Sequence, residues 1–341
     1  MPKSRCGEQT SPYAGHGMRR SLPENTCGDA LTLISHEMEN NNITKIFLLG
    51  FTGLYNVRIF VFLLILVIYL TTICGNLLVI SLVSYSKNLH CPMYLFLAQL
   101  TMCDIILTSD IVPNMLPMVL NNGTSMSLLG CFTQFFFFSS SEASECLLLT
   151  VMSYDRYLAI CHPLHYVSMM NPRLCLEFIL TSWALGYSLT LLVTLGMSQL
   201  PFCRSGVIDH FFCDFDPILR LSCSDTLQTK IHLLSTILNF PVILCPFLVV
   251  LVSYAYIVHT ILRIQSISHR RKAFSTCGSH LTVVSIFYGT LLSIYLSPEN
   301  GKSVTSRKIL SLAYTVLTPL TNPVIYCLRN KDIKKAFKMI H

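Results

Sequence analysis

Seven long apolar runs separated by short polar connections organise this chain of 341 residues. The first spans Ile59 to Tyr85, with no charge between Arg58 and Lys87. After a turn at Pro92 the second runs from Met93 to about Leu120, and the third from Cys131 to Ile160. The fourth covers roughly Cys175 to Gly196, and the fifth lies between Lys230 and Arg263. The sixth runs from Ala273 to Leu296 and the seventh from Ile309 to Leu328. A helix needs roughly 20 mostly apolar residues to cross a hydrocarbon layer about 30 Å thick, and each run is that long. The pattern predicts an all-α membrane protein, a seven-transmembrane helix bundle over 58–329. In 330–341, Ile333, Ala336, Phe337 and Ile340 recur at helical spacing with lysines opposite, which predicts a short amphipathic helix on the membrane surface. Ahead of the bundle lies a tail, 1–57. Its first part, 1–37, holds Pro, Gly, Ser and Arg without a sustained apolar run. It is expected to be a disordered extension with no cleavable signal peptide.

Composition agrees with a bilayer as solvent. Apolar residues make up 52% of the chain and charged ones 12%, about half the share usual for a soluble domain. The formal net charge of +7 comes from short clusters between spans, with no basic face or motif for nucleic acid. Lys87, the run His269-Arg270-Arg271-Lys272 and the lysines of the tail fall on one side, which the positive-inside rule makes cytosolic. Lys302, Arg307 and Lys308 run against the rule without reversing it. The other side carries the glycosylation sequon at Asn42; a second, at Asn122, lies too close to the membrane to be favoured. The expectation is a multi-pass plasma-membrane protein with its N-terminus outside and its C-terminus in the cytoplasm. Of the 15 cysteines, nine lie in or beside apolar runs and read as small buried hydrophobes. Cys6, Cys27, Cys131, Cys203, Cys213 and Cys223 fall at candidate extracellular positions, where disulfides persist.

Ionisable groups inside spans are costly and mark function or a buried partner. Asp104 and Glu145 fall near mid-depth, with Asn76 and Asn322 as hydrogen-bonding neighbours. Together they predict an interior polar cluster, able to hold a cation or a shared proton, or simply to join helices. Glu142 lies one turn from Glu145 on the same face, nearer the outer half. At the inner end of span 3, Asp155, Arg156 and Tyr157 place an acid and a base together at the membrane edge, a pair that a competing helix end can open. No Walker loop, H-E-x-x-H, G-x-S-x-G or metal-spaced Cys/His set is present, so neither an enzyme nor a metal or other cofactor is expected. Seven unlike spans show no internal repeat of the transporter kind.

These residues resemble the rhodopsin-like G-protein-coupled receptors, and within them the olfactory receptors, of the tetrapod-type (class II) subset. The likeness runs from about Met38 to the C-terminus. It rests on Leu89-His90-Cys91-Pro92-Met93-Tyr94, on MSYDRYLAICHPLHY from Met152, on KAFSTCGSHLTVVSIFY from Lys272 and on PLTNPVIYCLRN from Pro319. The last contains the Asn322, Pro323, Tyr326 switch. There are departures too: span 6 lacks the tryptophan switch of many rhodopsin-like receptors and has Tyr288 there, while Phe138 stands where amine receptors place an aspartate. The resemblance implies disulfides Cys131–Cys213 and Cys203–Cys223; four cysteines by themselves allow three connectivities. It implies a pocket between spans 3, 5, 6 and 7 under the second outer loop. Phe138, Ser139, Glu142 and Ala143 of span 3, Tyr288, Leu292 and Tyr295 of span 6 and Thr315 of span 7 would face a small, largely apolar, volatile ligand. The implied partners are that odorant, the lipid bilayer and a heterotrimeric G protein of the stimulatory, olfactory type, which raises cyclic AMP. A receptor of the same fold serving outside the nose is the nearest alternative.

Overall fold

The computed structural model describes residues 44–51, 57–295, 303–329 and 331–340. The sequon at Asn42, Cys6, Cys27 and the segment 1–37 lie outside the described residues. Seven helices are long and apolar enough to cross a membrane. They are α1 (Arg58–Tyr85), α2 (Pro92–Asn121), α3 (Leu128–Cys161), α4 (Pro172–Ser198), α5 (Asp225–Leu262), α6 (Ile267–Tyr295) and α7, which continues through three segments. The last comprises Ser303–Leu312, a π-helical turn at Ala313–Leu317, and Thr318–Arg329. A short α8 (Lys331–Ile340) follows.

Local chemistry starts and stops these helices. Pro92 and Pro172 occupy first-turn positions, where a missing N–H costs nothing. Ser127 caps α3 by accepting from Gly130 N at 2.9 Å, and Asn171 caps α4 by accepting from Leu174 N at 2.9 Å. α2 ends where Asn122 enters the left-handed region (φ 55°), followed by Gly123 at φ 129°, a conformation that favours glycine.

Burial is inverted relative to a soluble protein. Ile59 is 71% exposed and Phe60 68%, while Asn76, Asp104 and Asn322 are each 0% exposed. Leucines, valines and isoleucines cover the outside of the spans, and the polar groups of the spans turn inward among apolar side chains, as a hydrocarbon solvent dictates. α3 is the central strut, packed against α2, α4 and α5. Its approach to α4 depends on Gly186: a Cβ there would lie 3.0 Å from both Ser140 O and Ser144 N, backbone atoms that cannot step aside. In α8, Ile333 and Ala336 are buried against the bundle and the lysines described turn outward.

The structure adds one element that apolar periodicity did not suggest. Lys45–Leu48 forms β1, the middle strand of a three-stranded sheet, between β2 (Thr124–Ser127, antiparallel) and β3 (Val207–Ile208, parallel). Ile46 and Leu48 point into the core, at 1% and 0% exposure. Alternation over four residues is the only signal for it in the sequence. The sheet sits on the end of the bundle that carries the disulfides.

Candidate functional site

The loop between α4 and α5 folds over the bundle and is held by two disulfides. Cys131, in the first turn of α3, joins Cys213 (Cα–Cα 5.4 Å), and Cys203 joins Cys223 within the loop (5.8 Å). Gln134 reinforces the first tie, accepting from Cys213 N at 2.9 Å and donating to Asp110 O at 3.0 Å. The residue after Cys213 is Asp214, which caps a short loop helix (Phe215–Leu219) by accepting from Phe215 N at 2.8 Å. Burial pushes the Asp214 carboxyl up to about 6, against the pull of that hydrogen bond.

Beneath this loop lies a cavity of about 130 Å3. α3 lines it with Phe135, Phe138, Ser139, Glu142, Ala143 and Cys146; the loop contributes Asp214 and Phe215. α4 supplies Thr190 and Val193, α5 supplies Ser235, Asn239, Val242 and Ile243, and α6 supplies Phe287 and Leu291. The predicted residues Phe138, Ser139, Glu142 and Ala143 are therefore brought together. Tyr288 lies just behind the wall, its hydroxyl 3.2 Å from Cys146 Sγ.

Two other predicted positions lie elsewhere, and a third is not described. Leu292 is 41% exposed on the outer face of α6, and its neighbour Leu291 takes the wall position. One residue is a 100° turn around a helix, which puts these two neighbours on different faces. Thr315 is buried in the π-helical turn, donating to Ser311 O at 2.8 Å, and is not part of the lining. The Tyr295 side chain lies outside those described. The cavity consequently opens between α3, α4, α5 and α6 rather than towards α7. Aromatic packing closes that side: the Tyr314 ring sits 6.2 Å from Phe138 and 6.0 Å from Phe287. Sequence reasoning missed Ser235 and Asn239, although two polar residues one turn apart in an apolar span usually face inward. It also missed Asp214, whose signal is its place next to a cysteine tied to α3.

Below the cavity, the interior cluster assembles as a bridge between α2 and α7. Asn322 Nδ2 donates to both oxygens of Asp104, at 3.1 and 3.0 Å. Asn76 Nδ2 donates to Pro319 O at 3.2 Å, joining α1 to α7, and Gly75 lets Pro323 approach the same helix. Glu145, 1% exposed, interacts with Asn322, while its Oε1 and the Tyr326 hydroxyl have no protein hydrogen-bond partner. At the far end of α3, Arg156 Nε donates to Asp155 Oδ2 at 2.9 Å, and Tyr166 Oη donates to Asp155 Oδ1 at 2.7 Å. Burial and the neighbouring Asp155 both raise the Tyr166 hydroxyl well above its ordinary range, so it stays a donor. Tyr157 turns away from the pair and meets His162 Nε2 at 3.0 Å.

A cavity connected by one continuous helix to a charge pair at the opposite end suits a seven-helix receptor. The family is settled by comparison. Residues 65–341 match the model of the olfactory receptor family, and the chain belongs to it. It is 44% identical to Olfactory receptor 10A7 of Homo sapiens over 299 residues, 88% of this chain and 94% of that protein. Olfactory receptor 6N1 of Homo sapiens is 44% identical over 298 residues, 87% of this chain and 95% of that one. Olfactory receptor-like protein I9 of Rattus norvegicus is 43% identical over 298 residues, covering 87% and 94%. The chain is thus a multi-pass, odorant-sensing G-protein-coupled receptor.

Proposed function

We propose that this receptor binds a small, largely apolar, volatile molecule in the cavity under the disulfide-tied loop and signals through a stimulatory, olfactory-type G protein to raise cyclic AMP. The observation that carries the reading is the cavity itself: enclosed, walled mainly by phenylalanine and aliphatic side chains, with a few polar groups to orient a guest. In this reading the disulfide end and the N-terminus face outside, and the Arg156 end faces the cytoplasm. A ligand shifts the bundle between two arrangements by its differential affinity for them. The inner end of α6 then moves outward, and Arg156 leaves Asp155 to meet a helix of the G protein. Asn322, Pro323 and Tyr326 are the part of α7 that rearranges with it.

The test is Arg156→Ala in cells supplying that G protein, with cyclic AMP recorded against a broad odorant panel. The expected result is a saturable response in the wild type and none in the variant at equal surface expression. A fully active variant would overturn the coupling step.

A further inference from the structure

The ligand of this cavity can be narrowed by the charge of its walls. Two acids, Glu142 from α3 and Asp214 from the loop, line the same closed space. No lysine, arginine or histidine is among the described residues that line it. Like charges so placed repel, and each needs hydrogen-bond donors to offset its removal from water. The protein offers few. Asp214 Oδ1 accepts from Phe215 N, and the Tyr314 hydroxyl faces Glu142. Arg307, which acts on Asp214 electrostatically, lines a second cavity and not this one. Asn239 donates one amide N–H to Ser235 Oγ at 3.0 Å; its second N–H and the hydroxyls of Ser139 and Thr190 are donors without charge. Among the described lining residues two acids face no positive charge.

We propose that the natural ligand carries one basic nitrogen, with Glu142 and Asp214 forming a seat for its ammonium group and Phe138, Phe287, Val242 and Leu291 taking a short hydrocarbon body. This rests on the reading of the cavity as the ligand site. An ammonium brings three donors and one positive charge; an alcohol brings a single donor and no charge, and a carboxylic acid adds a third acid to two. Phe138 stands where an aspartate would mark an amine ligand by sequence, but Glu142, one turn along the same face of α3, provides the acid instead. Size narrows the class further. A cavity of about 150 Å3 holds a benzene ring, so about 130 Å3 suits a guest of about six non-hydrogen atoms. Seating an amine would also draw Glu142 from Tyr314, whose residue lies in the π-helical turn of α7, linking the seat to the helix that bears Asn322.

The experiment compares hexylamine, 1-hexanol and hexanoic acid, equal in chain length. Melting temperature is measured on the purified full chain in detergent, and cyclic AMP in cells, for wild type, Glu142→Gln and Asp214→Asn. The variants are close in shape, and asparagine still caps the loop helix. Hexylamine is expected to raise the melting temperature saturably, with half-effect at a concentration about 10-fold or more below that of 1-hexanol. Each variant should move the amine's half-effect upward by about 10-fold or more and that of 1-hexanol by much less. The proposal is overturned if 1-hexanol matches the amine, if the acid surpasses it, if the amine gives no shift, or if both variants bind it unchanged. Amine binding without cyclic AMP upholds the seat and defeats the coupling reading. Neutral odorants raising cyclic AMP where the amine does not bind have the reverse meaning.

Discussion

The bond from Asn322 to Asp104 fastens α7 to α2, and its energy can be worked out from the geometry. Both residues are fully buried, and one amide nitrogen reaches both carboxyl oxygens at 3.0 and 3.1 Å. Hydrogen bonds between membrane helices average about 0.6 kcal/mol, because the unfolded helices find other partners in the bilayer. This one has an acid as acceptor, which raises the usual net value to about 1.5–3 kcal/mol. Removing the donor also strands the acid beside Glu145, a second acid whose Oε1 has no protein partner. Asn322→Ala should therefore cost about 2–3 kcal/mol, up to roughly 100-fold in the unfolding equilibrium. Asp104→Asn keeps the shape and removes the acid, so Asn322→Ala on that background should cost only about 1 kcal/mol. The coupling energy of the double-mutant cycle is then about 1–2 kcal/mol. Reversible unfolding of the purified receptor in bicelles titrated with dodecyl sulfate measures it. A coupling below about 0.5 kcal/mol would place this bond among ordinary interhelical contacts and refute the reasoning.

Two further outcomes follow from the packing and the outer loop. Gly186→Ala puts a Cβ against backbone atoms of α3 at 3.0 Å, so the helices must part. Overpacking of this kind costs about 1–3 kcal/mol and should lower the melting temperature and surface expression; an unchanged melting curve would contradict the tight α3–α4 approach. His210, 7% exposed in the outer loop, is held down to about 4 by burial first and then by Lys308. Its folded value lies below its ordinary one, so the unfolded chain takes up the proton first. The stabilisation is complete above pH about 6.5 and declines by about 3 kcal/mol as pH falls towards 4. Asp214, whose value is raised, works in the opposite sense and is present in both chains, so the difference between wild type and His210→Phe isolates the histidine. Identical pH–stability curves would show that this ring is not desolvated.

How much could be read in advance depends on how far a physical rule reaches along the chain. The number and limits of the spans were legible, because crossing hydrocarbon demands a long unbroken apolar run. Three helices begin several residues ahead of the runs read for them: α5 at Asp225, where Ser224 caps it with a 3.4 Å bond to Leu227 N, α6 at Ile267 and α7 at Ser303. The membership of the interior cluster was legible for the same reason: Asn76, Asp104, Glu145 and Asn322 cannot face lipid, so all turn inward. So was the stripe of α8, of which Ile333 and Ala336 are buried.

Which helix faces fill which space was not legible. The pocket opens between α3, α4, α5 and α6, and not against α7, because the Phe138 and Phe287 rings close on Tyr314. Leu291 rather than Leu292 reaches the cavity because of a rotation of α6 that no local pattern reports. Asp214 becomes a wall of the site only because Cys213 is tied to Cys131, 82 residues away. β1 gains its partners from segments remote in sequence. Periodicity states which side of a helix avoids the lipid. The neighbour that meets that side is set by rotations, long-range cross-links and close approaches such as that at Gly186, and these exist only once the whole bundle has packed.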